Sequence, residues 1–359
     1  MSNSKENFNK ISILIIGSGI IGKFNALELV GKGFKITLLD NAEHKNASNA
    51  ALGLLMGEIY QKNSGRSWEL RKKSIEMWPK WIELLNKTNP NLKIEKPFIQ
   101  LTTDQKKFDK LYQFAYNNPV KKLEIINENS SKLTAIHEIF ETRNFKGLIS
   151  HEDGRINPKL LLDTIDTFLK KTKINTIKSK VIKIEKNRRK WFVTLNSGEK
   201  LSSHIVILCN SLNSSKLLIQ AGYEIKLRPV LGQAIEIRHD SNQINFLSLP
   251  KNFNIDGKNF IPLTKNQMII GSTDECSTHP SKSKISDLTE FLEKKPIWLH
   301  KKNISRSWFG IRSKPDGEPS PILKTLDKGL IICSGFYKNG ILLAPACANW
   351  ISNEIQKHI

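Results

Sequence analysis

A glycine-rich turn near the N-terminus constrains the fold of this chain more than any other feature. The segment GSGIIG at residues 17–22 has the pattern G-x-G-x-x-G and follows an apolar run that has the character of a strand. In this pattern Gly17 permits a tight turn, Gly19 lets a pyrophosphate approach the backbone, and Gly22 lets the following helix pack closely against the strand. The start of that helix offers unpaired N–H groups to phosphate. The turn therefore predicts a dinucleotide-binding βαβ unit.

The residues after the turn complete the same unit. Residues 23–31 place small and apolar side chains at helical spacing, and residues 35–40 alternate as a strand that ends at Asp40. Asp40 lies 18 residues past Gly22, close to the acidic position that binds ribose in such units. A P-loop is excluded because Phe24 stands where Ser or Thr is required.

Length and composition favour a globular protein with two domains. The chain has 359 residues, of which 39% are hydrophobic and 25% are charged. Apolar runs are shorter than a membrane span, and the polar residues 1–10 with the short run after them do not have the pattern of a signal peptide. We expect a cytoplasmic protein without a membrane span.

The cysteines and histidines do not predict a metal centre. The four cysteines lie far apart with no C-x-x-C pair, and the eight histidines form no H-x-x-x-H pair. We therefore expect no metal, and buried, reduced thiols in strands and a helix. The cysteines are Cys209, Cys276, Cys333 and Cys347.

The formal net charge of +22 leaves a polyanionic partner open. Most of the excess is lysine, however, and it is scattered along the chain in pairs such as Lys72-Lys73 rather than concentrated in one block. This distribution favours residue usage on solvated surfaces over a nucleic-acid site.

A second segment rich in small residues follows Asp40. Residues 47–54, with the sequence ASNAALGL, would let the backbone approach a large planar ligand, and Ser48 could reach a pyrophosphate. A loose helix start is the alternative reading of this segment. A nicotinamide enzyme is disfavoured because the chain has no catalytic Tyr-Lys pair at helical spacing.

Two C-terminal segments also carry candidate site residues. A polar turn at residues 337–340 lies between an apolar strand at 330–333 and an apolar helix, a position where α/β proteins hold ligands. Residues 306–322 have the composition of a loop, in which Arg312 follows the apolar stretch WFGI. A guanidinium in such a place suits a carboxylate, because it can donate two parallel hydrogen bonds.

These segments together resemble a known family. The sequences GSGIIGKFNALELVGKGFKITLLD, ASNAALGLL, SWFGIRSKPDGEPSPI and GFYKNGILLAPA are similar, in this order, to the FAD-dependent D-amino acid oxidase family and most to its glycine oxidase branch. The resemblance implies an α/β fold with a Rossmann-like FAD-binding domain and a discontinuous, β-rich substrate domain. It assigns residues 1–89, 150–222 and 306–359 to the first domain, and residues 90–149 and 223–305 to the second.

The resemblance also implies the cofactor, FAD, and the residues that bind it. The backbone at Gly17, Gly19 and Gly22 with Ile20 and Ile21 would meet the pyrophosphate, and Asp40 with Asn41 would hold the ribose. Ala47, Ser48, Leu52, Gly53 and Leu54 would flank the flavin, and the backbone of Val181 would pair with adenine. The polar turn and its helix would pass the pyrimidine edge of the flavin, where Lys338 and the helix dipole would stabilise the reduced form. These residues are Phe336, Tyr337, Lys338, Asn339, Gly340, Ile341 and Leu342.

The implied reaction is oxidation of the C–N bond of glycine, sarcosine or a D-amino acid. Arg312 would bind the substrate carboxylate, hydride would pass to the flavin, and the products would be an imine or keto acid, ammonia and, with oxygen as acceptor, hydrogen peroxide. A glycine substrate would connect the enzyme with thiamine biosynthesis. Asn259 or Phe260 stands where glycine oxidases usually carry a tyrosine whose hydroxyl helps to hold the carboxylate, so the identity of the substrate stays open. Cys333 raises covalent flavin attachment, although its strand position favours a buried thiol.

Three other functions stay open at this point. A flavin dehydrogenase would pass electrons to a carrier instead of oxygen. An RNA-acting oxidase would oxidise an amine on a tRNA base. A flavin-binding subunit without catalysis would explain the missing tyrosine. The resemblance also makes a homo-oligomer possible.

Overall fold

Two large sheets, each assembled from distant segments, organise the chain. The structure, a computed structural model, describes residues 11–41, 47–62, 64–240, 244–292 and 295–357. The prediction that the chain does not begin with a signal peptide concerns residues 1–10, which lie outside these ranges. Among the described helices, none is both long enough and apolar enough to cross a membrane.

The glycine-rich turn belongs to a six-stranded sheet. Its strands pair in parallel, apart from one antiparallel edge strand at Ile322–Asp327. The order across the sheet is Ile322–Asp327, Leu330–Ser334, Ile205–Leu208, Ser12–Ile16, Lys35–Asp40 and Asn175–Lys178.

Both faces of this sheet are covered, so its central strands are apolar throughout. Ile13 and Ile15 face one layer, whereas Leu14 and Ile16 face the other. The first layer contains the helices Ile20–Gly31, Arg66–Asn86, Pro158–Lys170 and Gly340–Lys357. The second contains the helix Asn213–Gln220 and a three-stranded sheet of Val181–Asn187, Lys190–Leu195 and Lys200–Ser203.

The second large sheet has eight strands and its own core. Phe140 lies at the centre of that core and contacts the rings of Phe145, Phe253, Phe260 and Trp298 edge to face. The strand order is Ile304–Pro315, Leu227–Arg238, Gln267–Gly271, Lys258–Thr264, Phe253–Ile255, Phe98–Thr102, Lys146–Ser150 and Leu123–Ile126.

Shorter elements fill the space around the two sheets. A small sheet combines Leu54–Leu55, Gly154–Ile156 and Ile94–Glu95. The remaining α-helices are Ala47–Ala50, Gln105–Tyr116, Thr134–Phe140 and Lys282–Ser286. Short 3-10 helices occur at Ser131–Leu133, Phe246–Ser248, Ile297–Leu299 and Lys301–Asn303.

The prediction of a loop at residues 306–322 is wrong for most of this segment. Residues Ile304–Pro315 form a strand that pairs antiparallel with Leu227–Arg238. This strand is the edge of the eight-stranded sheet and has a neighbour on one side only, which permits its polar and glycine-containing composition. It also runs across the domain boundary expected at residue 306, while the division into domains itself stays a prediction.

The expectation of buried cysteines is wrong for Cys276, which is exposed. Cys333 and Cys347 are buried, and Cys209 is partly buried. Cys276 lies outside the regular elements, between the strand Gln267–Gly271 and the helix Lys282–Ser286.

Candidate active site

A cavity of about 930 Å³ runs from the carboxyl ends of the parallel strands to the edge of the eight-stranded sheet. It therefore lies where open α/β sheets bind their ligands. Its wall contains most of the residues predicted to bind the cofactor. They are Gly17, Gly19, Ile20, Ile21, Asp40, Asn41, Ala47, Ser48, Leu52, Gly53, Leu54, Val181, Phe336, Tyr337, Lys338, Asn339, Gly340 and Ile341.

The glycine-rich turn presents bare backbone to this cavity. Gly17 has a φ of +104°, and a Cβ there would lie 2.7 Å from the carbonyl oxygen of Cys209. A Cβ on Gly22 would lie 1.8 Å from the carbonyl oxygen of Gly17. Gly22 does not line the cavity. The absence of a side chain at Gly22 permits the close contact between the helix and the turn.

Ser48 joins the small-residue segment to the helix that follows the turn. Its Oγ accepts a hydrogen bond from the backbone N–H of Ile20 at 3.0 Å. A Cβ on Gly310 would lie 2.6 Å from the Cβ of Ala50, so a glycine in the edge strand lets this segment pack on the sheet. Trp308 Nε1 donates to the carbonyl oxygen of Ala50 at 3.2 Å and fixes the same contact.

Leu342 is the other predicted residue that the structure places away from the cavity wall. Its side chain is buried in the core between the sheet and its helices, because it lies one residue further along the helix than Ile341. Its carbonyl oxygen accepts a hydrogen bond from Trp78 Nε1 at 3.1 Å.

Several polar residues of the cavity wall were missed by sequence reasoning. They follow the strands Asn175–Lys178 and Ile205–Leu208, where the chain leaves the carboxyl edge of the sheet. An available signal was the polar stretch NS directly after the apolar run IVILC at 205–209. The missed residues are Ser179, Lys180, Asn210, Ser211 and Lys216.

Arg312 lies on the edge strand with its guanidinium at the cavity wall, and only 15% of its side chain is exposed. Nη2 donates to Ser272 Oγ at 2.6 Å, and Nη1 donates to the carbonyl oxygen of Thr273 at 3.2 Å. A Cβ on Gly232 would lie 2.0 Å from Nη2, so a glycine on the neighbouring strand provides the space. Burial lowers the pKa of Arg312, although Asp274 opposes this effect.

Asp274 is the carboxylate beside this guanidinium. Its Oδ1 lies 3.8 Å from Arg312 Nη1, and its Oδ2 pairs with Lys338 Nζ at 2.8 Å. The hydroxyl of Tyr337 also donates to Oδ2. Burial acts to raise the pKa of Asp274, but the bonds from Lys338 and Tyr337 outweigh it, so the pKa lies below its ordinary value. The same contact and burial raise the pKa of Tyr337.

Asn259 and Phe260 are the two candidates for the position of the family tyrosine, and their surroundings differ. Asn259 lines the cavity, whereas Phe260 is fully buried in the core of the eight-stranded sheet. Asn259 Nδ2 donates to the carbonyl oxygen of Gly271 at 3.0 Å, and its Oδ1 accepts from Asn254 at 2.9 Å. Asn259 is thus a small, already bonded polar group rather than a phenol.

Cys333 also reaches the cavity wall, together with Cys209. The two residues come from neighbouring parallel strands, and Asn25 Nδ2 lies 3.5 Å from Cys209 Sγ and 3.9 Å from Cys333 Sγ. Cys333 is 1% exposed, so its thiol is a buried group beneath the cavity.

A glycine-rich turn that opens on a cavity at the carboxyl ends of parallel strands is typical of dinucleotide-binding oxidoreductases. The chain belongs to the DAO family of FAD-dependent oxidoreductases, whose family model matches residues 12–354. FAD is the cofactor of this family, and the present chain is an enzyme of this class.

Known proteins of the family resemble the chain over nearly all of its length. Glycine oxidase of Bacillus licheniformis is 22% identical over 354 residues, which are 95% of this chain and 92% of that protein. The crystal structure of glycine oxidase from Geobacillus kaustophilus has a TM-score of 0.84 at 19% identity, covering 97% of this chain and 96% of that one. A dithionite-reduced L-α-glycerophosphate oxidase from Mycoplasma pneumoniae with FAD bound has a TM-score of 0.81 at 15% identity, covering 96% and 94%. These comparisons confirm the predicted fold class.

Proposed function

We propose that this enzyme oxidises the C–N bond of a small amino acid, with glycine, sarcosine and D-amino acids as the first candidates. The observation that carries the proposal is the guanidinium of Arg312 at the cavity wall. It is mostly buried, it is fixed by Ser272 and Thr273, and a glycine at position 232 leaves room around it. Such a group suits the bidentate binding of a carboxylate.

The residues of the cavity also fit FAD. The backbone at Ile20 and Ile21 would hold the pyrophosphate, because the first turn of a helix offers N–H groups and a positive dipole. Asp40 and Asn41 would hold the ribose, and Val181 would lie at the adenine. Residues 47–54 and 336–341 would enclose the flavin from two sides. Gly22 and Leu342 would support this arrangement from within the protein.

Within this site the protein would position the substrate. Bound FAD would supply the hydride acceptor, which is chemistry that amino acid side chains do not provide. Arg312 would fix the carboxylate so that the carbon bearing the amine faces the cofactor. Lys338 lies just before the helix Gly340–Lys357 and would place a positive charge beside the cofactor. The imine would be released and hydrolysed by water to a keto acid and ammonia (methylamine in the case of sarcosine), and with oxygen as the electron acceptor the second product would be hydrogen peroxide.

An anaerobic titration tests this proposal. Glycine, sarcosine and D-alanine are added to the holoenzyme, and the loss of flavin absorbance is compared with that produced by methylamine, dimethylamine and ethylamine. These amines lack the carboxylate but keep the rest of each substrate. We expect at least one amino acid to reduce the flavin at a tenth or less of the concentration that its decarboxylated analogue requires. Equal reduction by both members of every pair would contradict a role for the carboxylate.

A further inference from the structure

A second arginine, Arg71, lines the same cavity as Arg312. It belongs to the helix Arg66–Asn86 and is only 1% exposed. Met56 and Tyr60 line the cavity with it. Arg71 is not predictable from the sequence as a site residue, because its neighbours are the charged and aromatic residues of an amphipathic helix.

Among the residues that the structure describes, no carboxylate bonds to Arg71. The guanidinium donates to the carbonyl oxygen of Met56 through Nη1 and stacks on the ring of Tyr60, with Cζ 3.7 Å from the ring centroid. Its Nε is buried and has no hydrogen-bond partner among the described residues. Both contacts hold the guanidinium in one orientation, yet neither contributes a negative charge.

The charged neighbours of Arg71 are bonded to other groups. Asp153 is near enough to favour the charged form of Arg71, but its oxygens accept the backbone N–H groups of residues 57, 58 and 59 at 2.6, 3.0 and 2.8 Å. Lys121 adds a second positive charge to this region and donates to the carbonyl oxygen of Glu58 at 2.8 Å. Burial raises the pKa of Glu58, whereas the charge of Lys121 opposes this effect.

Arg155 is a buried arginine with a structural role, and its contacts provide a comparison for Arg71. It is 6% exposed, donates to the carbonyl oxygen of Leu52 at 2.9 Å, and pairs with Glu95 at 3.0 Å. It does not line the cavity. Arg71 has the carbonyl contact but lacks the ion pair, and it faces the cavity instead. A buried charge without a partner is costly, so the cavity itself is where its partner is expected.

We propose that Arg71 binds a second anionic group of the substrate, and that the preferred substrate is therefore an amino acid with two carboxylates. The inference rests on the proposed function, since Arg312 is taken to bind the carboxylate next to the amine. Arg71 is 1% exposed, so a second anion would reach it only if the side chain of Met56 or Tyr60 were displaced. Met56 is suited to this movement because its side chain is unbranched and flexible.

Carboxylate ligands that cannot be oxidised test the inference directly. Malonate, succinate and glutarate are titrated into the holoenzyme, and each is compared with its half-amide, which has nearly the same shape and one negative charge fewer. Dissociation constants come from the perturbation of the flavin absorbance. We expect at least one diacid to bind at least tenfold more tightly than its half-amide. Equal affinities within all three pairs would overturn the inference.

The variant Arg71→Met shows whether Arg71 is the source of that preference. It should bind the diacid and the half-amide equally, while its affinity for the half-amide stays within about threefold of the wild type. Arg66→Met is the matched control. Arg66 lies on the same helix, stacks on Trp350, and donates to the carbonyl oxygen of Leu323 at 2.8 Å, but it does not line the cavity. A preference that survives in Arg71→Met, or disappears equally in Arg66→Met, would overturn the assignment.

Further measurements cover two cases: an Arg71→Met variant that does not fold with FAD, and failure of the proposed function. If Arg71→Met does not fold with FAD, Arg71→Lys keeps the charge and should retain part of the preference, whereas an unchanged preference in a folded Arg71→Gln would count against the inference. Failure of the proposed function appears separately, as a flavin that no amino acid reduces. D-aspartate and D-asparagine test the inference and the proposed function together. The flavin should be reduced at least tenfold more efficiently by D-aspartate than by D-asparagine.

Discussion

The two ends of the cavity differ in what they are made of. At the glycine-rich turn the wall is mostly backbone, and its shape depends on side chains that are absent at Gly17 and Gly22. At the edge of the eight-stranded sheet the wall consists of charged and polar side chains, with Arg312 held by Ser272 and Thr273 beside Asp274. The first end is contiguous in sequence, whereas the second combines residues from three strands and a turn.

This difference separates the two tasks of the enzyme. A backbone surface can hold a cofactor common to many proteins, because any sequence with the same glycines makes the same N–H groups available. Substrate recognition depends on which side chains converge, and a single replacement there changes it. Changes at the glycine-rich turn should therefore remove the cofactor, whereas changes at the edge strand should alter substrate binding while the cofactor stays.

The largest effect is expected for Gly22→Ala. The new Cβ would lie 1.8 Å from the carbonyl oxygen of Gly17, so the helix must separate from the turn. We expect a loss of at least about 3 kcal/mol in the free energy of unfolding and a protein purified without flavin. Gly31→Ala is the matched control in the same helix, because a Cβ there meets no atom within 4 Å. It should keep FAD and gain about 0.5 kcal/mol. Urea unfolding and flavin absorbance check both, and equal behaviour of the two variants would refute this role of Gly22.

The next effect is expected for Gly232→Ala. Its Cβ would lie 2.0 Å from Arg312 Nη2, at the end of a side chain that can move. The guanidinium should shift, so that acetate binds about 10- to 100-fold more weakly, equivalent to about 1.4 to 2.8 kcal/mol. Flavin content and melting temperature should stay close to the wild type. Unchanged acetate affinity would show that the space beside Arg312 is not needed.

A smaller effect of opposite sign is expected for Asp274→Asn. The carboxylate of Asp274 lies 3.8 Å from Arg312 and would repel a substrate carboxylate bound there. Its removal should tighten acetate binding about threefold, a modest gain because the side chain of Asp274 is 43% exposed and therefore screened by water. Titration of flavin absorbance measures the change. Weaker binding would mean that Asp274 contributes mainly by orienting Lys338 and Tyr337.

The smallest effect concerns pH. Burial and the contact with Asp274 raise the pKa of Tyr337 above its ordinary value of 10.0. A raised pKa favours the neutral phenol, so Tyr337 should remain a hydrogen-bond donor through pH 10. Acetate affinity measured from about pH 7 to pH 10 should therefore show no inflection assignable to this tyrosine. An inflection near pH 10 that disappears in Tyr337→Phe would contradict the raised pKa.

The same difference between the two ends explains how much could be predicted from the sequence. The turn at residues 17–22 and the strand ending at Asp40 were predictable, because spacing along the chain determines them. The edge strand Ile304–Pro315 was mistaken for a loop. In this strand Gly310 makes room for Ala50, and Arg312 lines the cavity. These two residues interrupt the alternation of apolar and polar residues that would have indicated a strand.

Other parts of the site depend on pairing between distant segments. Arg312 was expected from the family resemblance, but Gly232, Ser272 and Asp274 were not, since nothing local marks them as its neighbours. Arg71 was missed for a related reason: its helix has the composition of a surface helix, and only the fold shows that this face meets the cavity.

The central claim is that Arg312 binds the substrate carboxylate in an enzyme that keeps its flavin independently of that residue. The most direct measurement is anaerobic rapid mixing of glycine, sarcosine or D-alanine, whichever reduces the flavin best, with the wild type and with Arg312→Met. We predict an unchanged flavin spectrum in the variant and an apparent dissociation constant at least 100-fold higher, equivalent to about 2.8 kcal/mol. Flavin reduction by the variant with wild-type affinity would contradict the claim.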